Sequence, residues 1–346
     1  MALAVPAFAG NVTFTCDSSI GADFQPGGSS TAVCNYLNMV IAPEYDSTFT
    51  NANASIYIEA TNQGLADSTS GFFNIVSYSA YRTALLSEST DSASAFVPAS
   101  EPSVYGGDNV ELTSALMEAL GITHALDGSA PLGTNSALTA SCNNPGPGNP
   151  GCYNGVIQVN DPTDLDSQTH GQGYTYRSLG GSTNGTTANY DFFGAVEHEL
   201  DEILGTASCI DTTAGNGTLA DQGNCAAAVD LFRYTAPGTP TFDTVGQSAY
   251  FSPNGGTTDT QGNVYNDLAN GSDWADFTNT CTFVQDGTGC PNGHTFDILS
   301  DGPGGTVGPE VSILNAVGFD LAAPEPGTLA LFGLGLAGCG LYRRRG

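Results

Sequence analysis

Residues 187–205, TANYDFFGAVEHELDEILG, decide how the rest of the chain is read. At about 100° per residue, Phe192, Phe193, Val196, Leu200, Ile203 and Leu204 share one broad apolar face, so the stretch is expected to be an amphipathic helix. Asn189 reads as its N-cap, with Asp191 in the first turn, where a negative charge meets the helix dipole favourably. Gly205 ends it, because glycine tolerates the backbone a helix terminus needs. His198 and Glu202 lie about 40° apart on another side, one turn from each other. Glu199 sits at the border between the two faces. Glu197 and Asp201 make the helix more acidic and form a repulsive i,i+4 pair.

Two side chains at i and i+4 can grip one ion from a single helical face. Zinc peptidases do this with H-E-x-x-H, the glutamate after the first histidine acting as general base. Residues 198–202 read H-E-x-x-E, so Glu202 replaces the second histidine. A carboxylate oxygen binds zinc at a distance similar to an imidazole nitrogen. The replacement lowers the net charge of the site, which makes bound water less acidic and the choice of metal less fixed. The expectation is therefore His198 and Glu202 as ligands of Zn2+, with Glu199 deprotonating a metal-bound water. The same five residues also fit an acidic helix whose histidine pairs with Glu202. The spacing continues as in metzincins to Gly205. Ser208, a poor ligand, stands where their third ligand would be, and no methionine follows Met117.

Further motifs follow in order: VDLFRYTAPG at 229–238, AYFSPNGG at 249–256, SDWADF at 272–277 and LNAVGFDL at 314–321. With HELDEILG at 198–205, this series resembles a group of exported bacterial proteins assigned as metalloproteases, over most of residues 50–322. The resemblance implies a zincin-like metallopeptidase fold with its active-site helix around 189–204. It also implies an enzyme that hydrolyses peptide bonds in protein or peptide substrates. Carried over residue by residue, His198 and Glu202 match the ligand positions and Glu199 the base. Asp230 is the candidate third ligand, its alternative being a structural partner of Arg233. His294 is a rival ligand. Tyr234 and Tyr250 are candidate donors to a developing oxyanion. His170 reads as a loop residue and His124 as structural.

Composition narrows the setting. The 346 residues contain no lysine and six arginines against 35 acidic residues, for a net charge of -29. Such a surface repels phosphate backbones, so nucleic acid is excluded as a partner class. It suits cations, and Asp161, Asp164 and Asp166 offer calcium an acidic turn without the full calcium-loop pattern. Eight of the nine cysteines form close sequential pairs, namely Cys16 with Cys34, Cys142 with Cys152, Cys209 with Cys225 and Cys281 with Cys290. Their spacing matches no zinc knuckle, so structural disulfides in an oxidising compartment are expected, with local pairing.

Both termini read as addresses. Ala7-Phe8-Ala9 after a short apolar run looks like the end of a secretory signal peptide. At the other end Pro324-Glu325-Pro326 precedes an apolar stretch from about Thr328 to Tyr342 and then Arg343, Arg344 and Arg345. That order resembles the PEP-CTERM sorting signal of Gram-negative bacteria. The resemblance implies export, a transient stay of this tail in the inner membrane as a transmembrane segment, processing by an exosortase, and delivery to the cell surface or extracellular matrix.

Between the ends, residues 11–50 read as polar and irregular, and 54–60 and 155–160 as strands by alternation. Residues 75–88, 110–120 and 312–321 read as helices, the second stopped by Gly121. The mixture predicts an α+β protein. The expected division is a signal remnant at 1–9, a zincin-like subdomain at 10–205 ending in the active-site helix, a loop-rich, disulfide-containing subdomain at 206–322, and the sorting tail at 323–346. The competing reading is a non-catalytic acidic envelope or matrix protein that keeps the scaffold and binds calcium.

Overall fold

In the computed structural model the described residues are 10–21, 24, 30–88, 97, 109–122, 153–162, 173–176, 189–210, 226–243, 246, 248–257, 264–267, 272–278, 281–291 and 308–322. They form a mixed arrangement of helices and strands. The central sheet contains β1 (Asn11–Cys16), β2 (Asn53–Thr61), β3 (Ala66–Ser70) and β6 (Gly155–Asn160), in the order β1-β2-β6-β3. β1 runs parallel to β2 and β2 parallel to β6, while β3 closes the row antiparallel, Ala66 opposite Val159. The alternation that predicted strands at 54–60 and 155–160 is thus realised, with Ile56, Ile58, Ile157 and Val159 fully buried.

The described part of residues 10–50 holds more regular structure than its polarity suggests. After β1 come α1 (Ser30–Tyr36), a π-helical turn (Leu37–Ile41) and α2 (Ala42–Thr48). The Cys16–Cys34 disulfide ties β1 to α1. The Asn38 side chain both accepts from the Phe14 N–H and donates to its carbonyl, and Asp46 Oδ1 accepts from Val12 N. These side chains satisfy edge groups of β1 that would otherwise invite another strand.

Two expected helices begin later than their pattern implied. Residues 72–77 are β4 (Phe72–Ser77), and only then does α3 (Tyr78–Glu88) start. β5 (Asn109–Thr113) pairs antiparallel with β4 and leads into α4 (Ser114–Ala119), whose N-cap Thr113 accepts from Leu116 N. The short pair β7 (Tyr174–Thr175) and β8 (Tyr190–Asp191) leads into α5 (Phe192–Asp201). A small antiparallel sheet joins β9 (Arg233–Ala236) to β10 (Thr239–Pro240) and β11 (Tyr250–Phe251). The last helix, α6 (Pro309–Val317), matches the expected C-terminal one within three residues of its start.

One hydrophobic core runs from Val12 to Phe319, so the segments before and after residue 205 share it. Cys281–Cys290 is the second disulfide formed between described residues. Cys209 is also disulfide-bonded, while Cys142, Cys152, Cys225 and Cys339 lie outside the described residues.

Candidate metal centre

Helix α5 packs against β3 and β6. Its six predicted apolar side chains, Phe192, Phe193, Val196, Leu200, Ile203 and Leu204, are all fully buried. Each such burial contributes roughly 1.5–3 kcal/mol, enough to fix the rotation of the helix about its axis. The N-cap is Asp191 rather than Asn189: its carboxylate accepts from Phe193 N and Gly194 N, and Tyr190–Asp191 stay extended as β8. Phe192 is seated by Tyr174 and Tyr176, with ring centroids 5.2 and 5.0 Å away. A π-helical turn (Glu202–Thr206) follows, ended by Gly205 at φ 145°, a conformation glycine adopts at little cost.

The helix is buried on more sides than its charges predict. Glu197 and Asp201 are both fully buried. Asp201 Oδ1 accepts a 2.6 Å hydrogen bond from the Tyr45 hydroxyl of α2, which also lies 3.3 Å from the Glu197 carbonyl. Burial pushes the Asp201 carboxyl well above the usual range, the Tyr45 bond opposing it. A protonated Asp201 removes the i,i+4 repulsion expected from the sequence.

His198 and Glu202 come together as anticipated, Nε2 standing 3.6 Å from Oε1. The third member is Asp276 of SDWADF, whose Oδ1 lies 3.6 Å from the same Nε2. One donor atom from each of the three falls within 4.8 Å of the others. Ligands around a four-coordinate zinc stand about 3.4 Å apart, given metal–ligand distances near 2.1 Å. The two separations from His198 Nε2, 3.6 Å each, are close to that.

Each donor is also prepared. His198 Nδ1 donates to the Val284 carbonyl at 2.7 Å, which makes Nε2 the nitrogen that faces the two carboxylates. Glu202 Oε2 accepts from the Ser68 hydroxyl of β3, so Oε1 is the oxygen turned to His198. Asp276 Oδ2 accepts from Asp273 N at 3.1 Å, while its buried Oδ1 has no hydrogen-bond partner. A buried acceptor without a donor is costly, and a cation at this point would satisfy it.

The electrostatics agree. Burial alone would depress His198, but the Glu202 and Asp276 carboxylates hold it well above its usual value. Burial pushes Asp276 up to about 7, with His198 opposing. Glu202 is held below the usual range because contact with His198 outweighs burial. The same three groups that hold a proton here could hold a divalent cation in its place. One imidazole and two carboxylates would hold that ion in a neutral set.

Glu199, 6% exposed, faces a cavity of about 300 Å³ beside His198. Burial and repulsion from Glu202 push its carboxyl well above the usual range, the direction a general base needs to work near neutrality. Leu65 and Ala66, at the start of end strand β3, form one wall of the cavity, and residues 286–290 form another. A Cβ at Gly289 would lie 1.9 Å from Leu65 Cδ2, so any larger residue there would push the Leu65 side chain aside.

Asp230 is not part of the group. Its Oδ1 accepts from Ser208 Oγ at 2.8 Å and its Oδ2 from Ala227 N at 2.9 Å. Both oxygens are therefore spent holding the turn that precedes β9. Arg233 is buried, donates to the Trp274 carbonyl at 2.7 Å and lies 4.7 Å from the Tyr265 ring centroid. Asp273 Oδ1 accepts from Ser208 N and Ala275 N. The DLFRY segment thus braces the loop that carries Asp276 and does not reach the ion position itself. Of the proposed oxyanion donors, Tyr250 donates to the Gly256 carbonyl and Tyr234 is buried in the small sheet. Neither lines the cavity, whereas Tyr190 does. His124, His170, His294, Asp164 and Asp166 lie outside the described residues.

Residues 322–345 match the PEP-CTERM protein-sorting motif. The motif marks the chain as an exported, surface-directed protein whose C-terminus is recognised by an exosortase. No curated protein and no solved structure matches the chain. Among the described residues no helix is long and apolar enough to cross a membrane; the apolar tail lies outside them.

Proposed function

We propose that the chain is an exported metal-dependent peptidase of zincin-like fold. In this reading His198, Glu202 and Asp276 hold a divalent cation and Glu199 is the general base. The observation that carries it is the convergence of three prepared donor atoms, one of them the buried Oδ1 of Asp276, which accepts no hydrogen bond. Asp276 takes the ligand role that the family resemblance suggested for Asp230.

A cation held there supplies Lewis-acid chemistry, polarising a carbonyl and making water nucleophilic near neutral pH. The protein's own groups do the rest. Glu199 takes a proton from the attacking water and returns it to the leaving amine. Val284 and Ser68 keep His198 and Glu202 in orientation. End strand β3 gives an extended peptide backbone a strand to lie along, next to the cavity. The oxygen-rich donor set accepts harder ions than a three-histidine site, so Mn2+ competes with Zn2+. Until processing, the apolar tail would hold the chain in the inner membrane.

The test is hydrolysis of an unstructured protein substrate by the metal-loaded chain and by Glu199→Gln. The expected result is a loss of at least ~10²-fold in rate with metal stoichiometry unchanged. Equal hydrolysis by both proteins would remove Glu199 from the role of base. Calcium binding without any hydrolysis would replace the enzyme with an acidic envelope or matrix protein.

A further inference from the structure

The segment from Cys281 to Cys290 touches the metal centre at several points. Its Val284 carbonyl fixes His198 Nδ1 at 2.7 Å. The next residue, Gln285, donates from Nε2 to the His198 carbonyl at 3.2 Å and accepts from Thr206 Oγ1 at 3.0 Å. Its own carbonyl accepts from Phe277 N at 2.7 Å, and Gly287 N donates to the Phe277 carbonyl at 3.1 Å. Phe277 directly follows Asp276. Ligands from two distant parts of the chain therefore take their positions from one short loop.

That loop contains no helix and no multi-residue strand. Its ends are joined by the Cys281–Cys290 disulfide, with 5.5 Å between the Cα atoms. Cys281 has φ 54°, a left-handed backbone that a non-glycine residue keeps only where its surroundings impose it. Opening the bond frees Cys281 to leave that conformation, and the loop then rests on hydrogen bonds such as those from Thr282 N and Phe283 N to Asp286 Oδ2 and from Gln285 N to Glu310 Oε1.

We propose that the Cys281–Cys290 disulfide is an assembly switch for the metal centre, with Gln285 as a positioning residue. This rests on the reading that His198, Glu202 and Asp276 hold a cation. With the bond made, the loop holds the His198 ring and the Asp276 backbone in register. With it open, the donors drift and affinity falls. On closure the two thiols lose two protons and two electrons to a disulfide-bearing oxidant of the export compartment, and a dithiol reductant reverses the step. A chain still in a reducing cytoplasm carries an incomplete centre and becomes competent for metal only after export. The switch would keep a hydrolase silent until it has left the cell interior.

Cys16–Cys34 provides the control. It joins β1 to α1, at the opposite end of the sheet from β3 and the cavity. Zinc affinity is measured by competition with a chromophoric chelator on the full oxidised chain, the double variant Cys281→Ser/Cys290→Ser and the double variant Cys16→Ser/Cys34→Ser. Melting temperature is followed in parallel. The expected result is a roughly 10- to 100-fold loss of zinc affinity in the first variant, the range for losing support behind a ligand. The second should melt lower but bind zinc as the wild type does. Gln285→Ala, with both disulfides intact, should weaken zinc about 10-fold and keeps the test open if the serine pair does not fold. Unchanged affinity in Gln285→Ala and in a folded Cys281→Ser/Cys290→Ser protein overturns the switch while the metal centre stands. A wild-type chain that binds no zinc overturns the metal centre itself.

Discussion

Replacing Asp276 by asparagine should raise the stability of the metal-free protein and blunt the stabilisation that zinc gives. Asparagine keeps an acceptor for Asp273 N and a similar shape, so the loop survives. It loses the charge. Burial lifts the Asp276 carboxyl from 3.8 to about 7. For a carboxyl raised in the folded state, the unfolded chain releases its proton first, so stability falls as pH rises from about 4 to about 7 and stays low above. That lift already includes the attraction to His198, and the cost is on the order of 4 kcal/mol at neutral pH. Metal-free Asp276→Asn should therefore melt above metal-free wild type at pH 7.5. Zinc narrows that gap by about 2 kcal/mol. At 100 times its dissociation constant zinc stabilises the wild type by about 2.7 kcal/mol, roughly 3–5 °C for a chain of this length. A variant whose affinity has dropped ~100-fold gains under about 0.5 kcal/mol at the same zinc concentration. Thermal melts of chelator-treated protein, with and without zinc, read both effects. If Asp276→Asn shifts as far as the wild type on adding zinc, Asp276 is not a ligand and the geometric argument fails.

Other perturbations separate the residues around the centre. Asp230→Asn should keep full metal stoichiometry by elemental analysis, since both Asp230 oxygens are engaged elsewhere. Burial lifts Asp230 to about 6, so the wild type should lose stability as pH rises from about 4 to about 6. Denaturant midpoints across that window should vary less in the variant. Ser68→Ala removes the donor to Glu202 Oε2 and should weaken zinc about 10-fold in chelator competition, with little change in metal-free melting. Gly289→Ala drives a methyl into Leu65 and should destabilise by about 1–3 kcal/mol while narrowing the cavity.

What could be read from the sequence divides by the range of the interactions. His198 and Glu202 were legible because the helical repeat alone brings them together, and the apolar face of the same helix set its orientation. Strands at 54–60 and 155–160 were legible by alternation. The start of α4 was not. In VELTSALMEAL, Val110 and Leu112 also alternate, and it is pairing with β4, distant in sequence, that decides for a strand before Thr113. The burial of Glu197 and Asp201 was hidden for a similar reason, since Tyr45, the donor to Asp201, comes from a segment that read as irregular. Asp276 belongs to a motif that was noticed, but nothing local distinguishes it from Asp273 or Asp230. Only the packing of Arg233 against the Trp274 carbonyl, and of the Cys281–Cys290 loop against Phe277, aims it at His198. The family resemblance pointed to Asp230 as the acidic residue that opens DLFRY downstream of the helix, whereas in the folded chain it braces the loop.

The central claim is that three side chains hold a cation on the HELDEILG helix. Its most direct test is elemental analysis of the full chain, purified without chelator from an oxidising compartment, beside His198→Ala. The account predicts one divalent transition-metal ion per wild-type chain and none in the variant, with both proteins folded. Wild-type protein that is folded and free of transition metal, even after incubation with zinc and manganese, would contradict it.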